Sequence, residues 1–161
     1  MTTELDRKAK HRYSPPESLD DLKNALYAFP SLPDKIKELI QCIKLANEEA
    51  NALRNISSLV PDGTPYTKII SDPTSKKAII IERYDNRIAK FLNDIDLITY
   101  LQQVVGDALL ILSKDEYEII HARYFAGLRW KAISDKTNYC LANCRIIHDK
   151  ALDAMLEAMK I

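Results

Sequence analysis

The hydrophobic residues of this chain recur at spacings of three and four over two long stretches, which is the period of an α-helix. The first stretch runs from about Pro33 to Ser58, and its apolar positions are Ile36, Leu39, Ile43, Ala46, Ala50 and Leu53. The second and clearer stretch has its apolar positions at Ile81, Tyr84, Ile88, Phe91, Ile95, Ile98, Val105, Leu109 and Leu112. This heptad-like spacing predicts two long helices that form a coiled-coil-like hairpin.

Local signals predict where these helices begin and end. The segment "SLDDLKNALYAF" predicts a short helix that ends before the following proline. The segment "PDGTP" predicts a loop between the two long helices. Asp72 followed by Pro73 is typical of a helix start, because the aspartate side chain accepts a backbone N–H and proline lacks an N–H that would have no partner in the first turn.

Gln102 interrupts the apolar seam of the second long helix. A polar residue in such a seam often fixes the register or the oligomeric state of a coiled coil. We therefore expect a homodimer formed through the hairpin, although pairing of the two helices within one chain would satisfy the same pattern.

A capping signal restarts the chain at "LSKDEYEII". Ser113 and Glu116 have the spacing of a capping box, and Leu112 and Tyr117 have that of the accompanying hydrophobic staple. We therefore predict a new helix at Ser113 and three parts of the chain. These are a flexible basic arm at residues 1–17, the helical hairpin at 18–112 as the oligomerisation region, and a C-terminal domain at 113–161.

The C-terminal part has the pattern of a helix-turn-helix domain. Gly127 and Leu128 break the preceding helix, "RWKAISDKT" predicts a short helix, and a last helix is predicted to start near Cys140. The buried side of the last helix is predicted to contain Cys144, Ile147, Ala151, Leu152 and Met155. In such a domain the first helix braces the second, whose outer face can enter the major groove of DNA. The predicted fold is all-α, with the hairpin followed by this domain.

The segment "LSKDEYEIIHARYFAGLRWKAISDKTNYCLANCRIIHDKAL" resembles region 4 of bacterial sigma factors. It is more similar still to sigma-region-4-like regulators encoded by phages of Gram-positive bacteria, the ArpU/RinA-type late transcription activators. The matching residues are Leu112, Glu116, Arg123, Tyr124, Gly127, Leu128, Trp130, Ile133, Tyr139, Arg145, His148, Ala151 and Leu152. The chain departs from the family pattern at Cys140, where a serine cap is usual, and at Ala132 and Ser134.

The resemblance implies that the start of the last helix contacts DNA bases, through Leu141, Ala142, Asn143, Arg145 and Ile146. Among these, Asn143 can make a bidentate contact with adenine and Arg145 with guanine. The three apolar residues could contact thymine methyl groups or a protein. Phosphate contacts are predicted for Arg129, Lys131, Lys136, Thr137, Asn138, His148 and Lys150, although His148 could instead pack at the edge of the helix. These contacts supply affinity but carry no sequence information.

Cys140, Cys144 and His148 follow one another at spacings of four, so they lie along one helical face as metal ligands sometimes do. A structural zinc site needs four ligands, and no obvious fourth is close in sequence. In the resembling family a buried valine stands at the position of Cys144, and a free cysteine behaves as a small buried hydrophobe. We therefore expect a cap at Cys140 and a core residue at Cys144, with no metal and no cofactor.

The composition narrows the class of protein. Lys+Arg and Asp+Glu number 23 each, which excludes a uniformly basic nucleic-acid binder but leaves room for a local basic surface. The three cysteines include no C-x-x-C pair, which argues against a secreted disulfide framework. No run of about 18 apolar residues occurs, and the first residues lack the apolar core of a signal peptide. We expect no membrane contact and a location in the cytoplasm, which the resemblance implies is that of a bacterial host cell.

The helix-turn-helix pattern favours a sequence-specific transcriptional regulator that binds double-stranded DNA as a homodimer. The resemblance implies that it activates phage or prophage late genes. A contact with RNA polymerase, as in sigma region 4, is a variant of this hypothesis. Two alternatives stay open: a sigma-like module that binds RNA polymerase or a sigma factor, and a DNA-packaging recognition subunit of the small-terminase type. An enzyme is disfavoured, because no nucleophile elbow, P-loop or H-E-x-x-H motif occurs.

Overall fold

The computed structural model describes residues 13–56 and 73–160, and within them every regular element is helical, which confirms the all-α prediction. The elements are α1 (Leu19–Ala28), a 3₁₀ turn (Phe29–Ser31), α2 (Leu32–Ile56), α3 (Pro73–Leu110), α4 (Lys114–Ile120), a π-helical turn (His121–Phe125), α5 (Trp130–Thr137) and α6 (Leu141–Met159). Among these helices, none is long and apolar enough to cross a membrane.

Side-chain caps start α1 and α4, and the cap of α4 lies at Ser113, where the sequence predicts it. The Ser18 hydroxyl accepts a hydrogen bond from the backbone N–H of Asp21 at the start of α1. At Ser113 the capping box is complete: its hydroxyl accepts from the backbone N–H of Glu116, and the Glu116 carboxylate accepts from the backbone N–H of Ser113 at 3.0 Å. Each such cap is worth about 1 kcal/mol of stability.

The long helices closely follow their predicted bounds. Helix α2 spans Leu32–Ile56 and α3 spans Pro73–Leu110, while the predicted end of the first long helix at Ser58 lies outside the described residues. The predicted cap Asp72, the predicted loop between the helices and most of the predicted basic arm lie outside the described residues.

The chain folds into two compact units whose limits differ from the predicted ones. One unit combines the residues up to Asp34 with those from Leu97 onward, and the other is Lys35–Asp96. The difference arises because α1 packs against α6 and the π-helical turn rather than within the hairpin. Leu22 and Leu26 of α1 are fully buried there. The two units are therefore not separated at residue 18 or at Ser113, where the sequence predicts boundaries.

Aromatic pairs hold α1 and the 3₁₀ turn in the first unit. The rings of Tyr27 and Tyr124 meet edge to face with centroids 4.6 Å apart, and those of Phe29 and Phe125 stack at 5.5 Å. The C-terminal end of α3 supplies further buried side chains to this unit, namely Ile98, Leu101, Val105, Ala108 and Leu109. The first unit is therefore built around a substantial apolar core.

The second unit has a much thinner core. Of its apolar side chains in the described ranges, only Leu39, Ala46 and Ala50 are buried. The seam residues of α3 in this unit are half-buried: Ile81, Tyr84, Ile88, Phe91 and Ile95. A bidentate contact of the Arg54 guanidinium with the Asp85 carboxylate, at 2.9 and 3.1 Å, links α2 to α3. Because both side chains are exposed, this ion pair adds at most about 1 kcal/mol.

Candidate nucleic-acid interface

Two left-handed residues shape the connections of the helix-turn-helix. Gly127 has φ +67° after the π-helical turn, a conformation that glycine adopts without strain, so the chain can turn there into α5. Asn138 ends α5 at φ 62°, and asparagine tolerates this conformation better than most residues. The turn Asn138–Tyr139–Cys140 then leads into α6. The structure thus contains the helix, tight turn and longer helix that the sequence predicts.

Buried contacts brace α6 against α5. Ile133 of α5 and Cys144 of α6 are fully buried in one cluster with Ile119 and Ala122 of the preceding helical segment. The Cys144 thiol lies 3.6 Å from the Thr137 hydroxyl oxygen. This placement confirms the expectation that Cys144 is a core residue.

Hydrogen bonds fix the turn itself. The Ser134 hydroxyl donates to the Tyr139 carbonyl at 2.5 Å, and the Tyr139 hydroxyl donates to the Asp115 carboxylate at 2.8 Å. The latter bond raises the pKa of Tyr139 above its usual value. Cys140 stands at the N-cap of α6 and makes no side-chain cap hydrogen bond, as expected for a weak acceptor at this position.

The first two turns of α6 present the predicted base-contacting residues to solvent. All of them are exposed, namely Leu141, Ala142, Asn143, Arg145 and Ile146. Ile146 is 64% exposed and Leu141 45%, so two large apolar side chains stand beside the polar pair of Asn143 and Arg145. This surface is called the α6 outer face below. Its apolar and polar groups suit both base edges and a protein partner.

Trp130 links the α6 outer face to the rest of the domain, a contact that sequence spacing does not predict. The guanidinium carbon of Arg145 lies 5.8 Å from the Trp130 ring centroid, and that of Arg123 lies 5.0 Å from it. Arg123 also donates to the Leu128 carbonyl at 3.2 Å. Because an arginine stacked on an indole has fewer free rotamers, Arg145 loses less entropy when it binds a ligand.

His148 does not lie where a phosphate could reach it, so its predicted phosphate contact is wrong. Its side chain is buried, with Nε2 2.8 Å from the Tyr124 hydroxyl and Nδ1 2.9 Å from an Asp149 carboxylate oxygen. The ring also meets Trp130 edge to face, with centroids 5.0 Å apart. The physical reason is that this position lies on the buried side of α6, where Tyr124 and Asp149 satisfy both ring nitrogens within the chain.

The partners of His148 assign its tautomer. A carboxylate only accepts, so Nδ1–H donates to Asp149, and Nε2 accepts from the Tyr124 hydroxyl. Burial lowers the pKa of His148, and the hydrogen bond to Asp149 opposes this shift in part. Burial also raises the pKa of Tyr124 to about 12. The His148 side chain is therefore uncharged at neutral pH, and its Nε2 accepts a hydrogen bond inside the domain.

The other predicted phosphate contacts divide by exposure. Arg129, Lys131, Lys136, Asn138 and Lys150 are exposed on and around α5 and α6. Thr137 is half-buried, and its hydroxyl donates to the Ile133 carbonyl at 2.7 Å. Since that proton is already used within the chain, the geometry does not favour the phosphate contact of Thr137, which stays a prediction.

Within residues 13–56 and 73–160, no three His, Cys, Asp or Glu side chains are grouped as metal ligands. Cys140 is exposed, Cys144 is buried, and both His148 nitrogens make hydrogen bonds, so the three residues spaced by four do not share one site. Comparison with models of known protein families, with curated proteins and with solved structures gave no match. The resemblance drawn from the sequence therefore remains a prediction.

Proposed function

We propose that this chain is a sequence-specific transcriptional regulator that binds double-stranded DNA, with α6 as the helix that enters the major groove. One observation carries the proposal: a helix braced from behind by a buried cluster presents Asn143 and Arg145 on its exposed first turns. A braced helix with free outer side chains is what major-groove recognition requires.

Each group on the α6 outer face has a proposed role. Arg145 contacts guanine and Asn143 contacts adenine, each through two hydrogen bonds, while Leu141 and Ile146 pack on thymine methyl groups. Phosphate contacts come from Arg129, Lys131, Lys136, Asn138 and Lys150. These contacts fix the register of the protein on the duplex.

The charge balance supports a modest, salt-sensitive affinity for one copy. The exposed carboxylates Asp135, Asp149 and Asp153 lie among the basic residues of α5 and α6 and weaken the positive field there. Two linked copies on one DNA molecule would raise the affinity through effective concentration, without any new contact.

The thin core of the second unit supports a homodimer. Its two helices bury one leucine and two alanines, while the seam from Ile81 to Ile95 stays half-exposed. Helical hairpins usually bury such a seam against further helices, as in a four-helix bundle. We propose that a second copy covers this seam, as the heptad pattern favours.

The regulatory role and its setting come from the resemblance to phage late activators. The proposed targets are late genes of a phage or prophage in a bacterial cytoplasm, with RNA polymerase as a further partner. The exposed Leu141 and Ile146 favour one competing function, a protein-interaction module in which the α6 outer face binds RNA polymerase or a sigma factor.

Genome-wide recovery of DNA bound to the tagged protein tests the proposal, with the Arg145→Glu variant beside it. Lys44→Glu is the matched control, because Lys44 is exposed on α2 and carries the same charge change. Sharp peaks that are lost only in Arg145→Glu support a sequence-specific regulator, and their position at late promoters or at a packaging site separates regulation from packaging. Weak enrichment at many promoters, equal in all three proteins, contradicts base recognition by Arg145 and favours binding to polymerase.

A further inference from the structure

A row of basic side chains runs along α3 in the second unit. Lys76, Arg83, Arg87 and Lys90 follow one another at spacings of seven, four and three, which places them on one face of the helix. All four are exposed. At 1.5 Å per residue the row is about 21 Å long. We call it the α3 basic row.

The two arginines of the row lack the carboxylates that usually accompany helix cations, whereas Lys90 has Asp94 four residues further along α3. The positions three and four residues away from Arg83 and Arg87 hold Ile79, Ile80, Asn86, Tyr84, Lys90, Phe91 and the other arginine. Two like charges four residues apart destabilise a helix slightly, and here no acidic neighbour offsets them. In the described part of the chain, neither guanidinium makes an ion pair, and the nearby Asp85 is paired with Arg54 instead.

The surface beside the two arginines of the row is concave. Ile80, Arg83, Tyr84 and Arg87 line a shallow depression on α3. The guanidinium carbon of Arg87 lies 5.8 Å from the Tyr84 ring centroid. The two arginines thus flank a small concave patch with their charges directed to solvent.

We infer that the α3 basic row is a second DNA-binding surface, which contacts the phosphate backbone of double-stranded DNA. The inference extends the proposed function and rests on it. A row of cations along one helix face matches a ligand with regularly repeated negative charges. The phosphate backbone is such a ligand, with a charge about every 3.4 Å along each strand. The contact would carry no base specificity, because the row meets phosphates only.

Salt-dependent binding measures this contact directly. The duplex probes are one recovered by the wild-type protein from a random-sequence pool and one unrelated duplex, each titrated from about 50 to about 200 mM salt. The variants are Lys76→Gln/Lys90→Gln and Arg83→Gln/Arg87→Gln. The control is Lys44→Gln/Lys114→Gln, which removes two exposed lysines outside the row. Circular dichroism checks that the helical content of each variant is unchanged.

The expected result is a shallower plot of log affinity against log salt for both row variants. Each lost phosphate contact reduces the slope by about 0.9, so each double variant should lose about 1.8 on both probes. The control should keep the wild-type slope. Unchanged slopes in both row variants would overturn the inference. The row would then bind an acidic protein surface or contact only solvent.

The Arg145→Glu variant distinguishes a failure of this inference from a failure of the proposed function. If it loses its preference for the recovered duplex while the row variants bind as wild type, base recognition stands and the α3 basic row does not contact DNA. If the row variants weaken binding but Arg145→Glu does not, the row contacts DNA and the proposed role of α6 fails.

Discussion

The Tyr124 hydroxyl oxygen lies 2.8 Å from Nε2 of His148, inside the domain that carries the α6 outer face. With Asp149 on the other ring nitrogen, this bond joins the π-helical turn to α6. Both residues belong to the pattern that resembles sigma region 4, and here their geometry gives them a structural role. The bond therefore fixes the buried side of α6 to the π-helical turn.

Tyr124→Phe should destabilise the protein. The substitution removes the donor and leaves the buried Nε2 of His148 without a partner, which costs about 1–3 kcal/mol. Urea unfolding followed by circular dichroism measures the loss. Tyr100→Phe is the matched control, because Tyr100 is 53% exposed, and its effect should stay within about 0.5 kcal/mol. Equal stability of the two variants would show that the Tyr124–His148 bond contributes nothing.

Stability should fall as the pH is lowered from 8 to 5 because of His148. Burial lowers the pKa of His148 in the folded state, helped by Lys23 and Arg123, while the unfolded chain keeps a value of about 6.5. The unfolded state therefore binds more protons in this range. The stability that neutral His148 contributes is complete above the unfolded pKa and is lost as pH falls through the folded one.

Urea midpoints at several pH values measure this dependence. His148→Gln should flatten the profile between pH 8 and 5, while Asn93→Gln, an exposed substitution without a titratable side chain, should leave it as in the wild type. A wild-type slope retained in His148→Gln would assign the pH dependence to other groups.

Arg145 and Trp130 should be energetically coupled. A double-mutant cycle with Arg145→Ala and Trp130→Leu is expected to give about 0.5–1 kcal/mol, the size of an exposed cation–π contact. The cycle of Lys150→Ala with Trp130→Leu serves as its comparison and should give no coupling. Trp130 is the single tryptophan of the chain, so a shift of its fluorescence in Arg145→Ala reports the same contact without unfolding. No coupling and no shift would mean that Trp130 does not hold Arg145.

Cys140→Ser should stabilise the protein. Cys140 occupies the N-cap of α6 without a cap hydrogen bond, and a serine hydroxyl there could accept one from the first turn. The expected gain is about 0.5–1 kcal/mol in urea unfolding. Cys42→Ser, in the exposed middle of α2, should give no gain. A neutral or negative effect at Cys140 would show that the backbone there cannot use a side-chain acceptor.

Local features of this fold could be predicted because they depend on neighbours in the sequence. The capping box at Ser113 and the break at Gly127 each follow from a few adjacent residues. The buried Cys144 follows from helical spacing in the same way. The packing of α1 against α6 and the π-helical turn could not be predicted from the sequence, since the partners of Leu22 and Leu26 lie at the other end of the chain.

The candidate site can be predicted less completely from the sequence, because its side chains also depend on contacts with other elements. Helical spacing separated the inner side of α6 from its outer face, but it left His148 at the border between them. Only the positions of Tyr124 and Trp130, on other elements, show that the imidazole points inward. The stacking of Arg145 on Trp130 depends on the angle between α5 and α6, which sequence spacing does not specify.

The pairing of α1 with the C-terminal helices has a consequence for the order of folding. Tyr27 leaves the ribosome early, but its partner Tyr124 and the helix α6 follow only after the whole hairpin has been synthesised. Closing so large a loop carries an entropic cost and slows folding. The first unit therefore completes its core last, and a fragment that starts at Ser113 would expose the apolar surface that Leu22 and Leu26 cover.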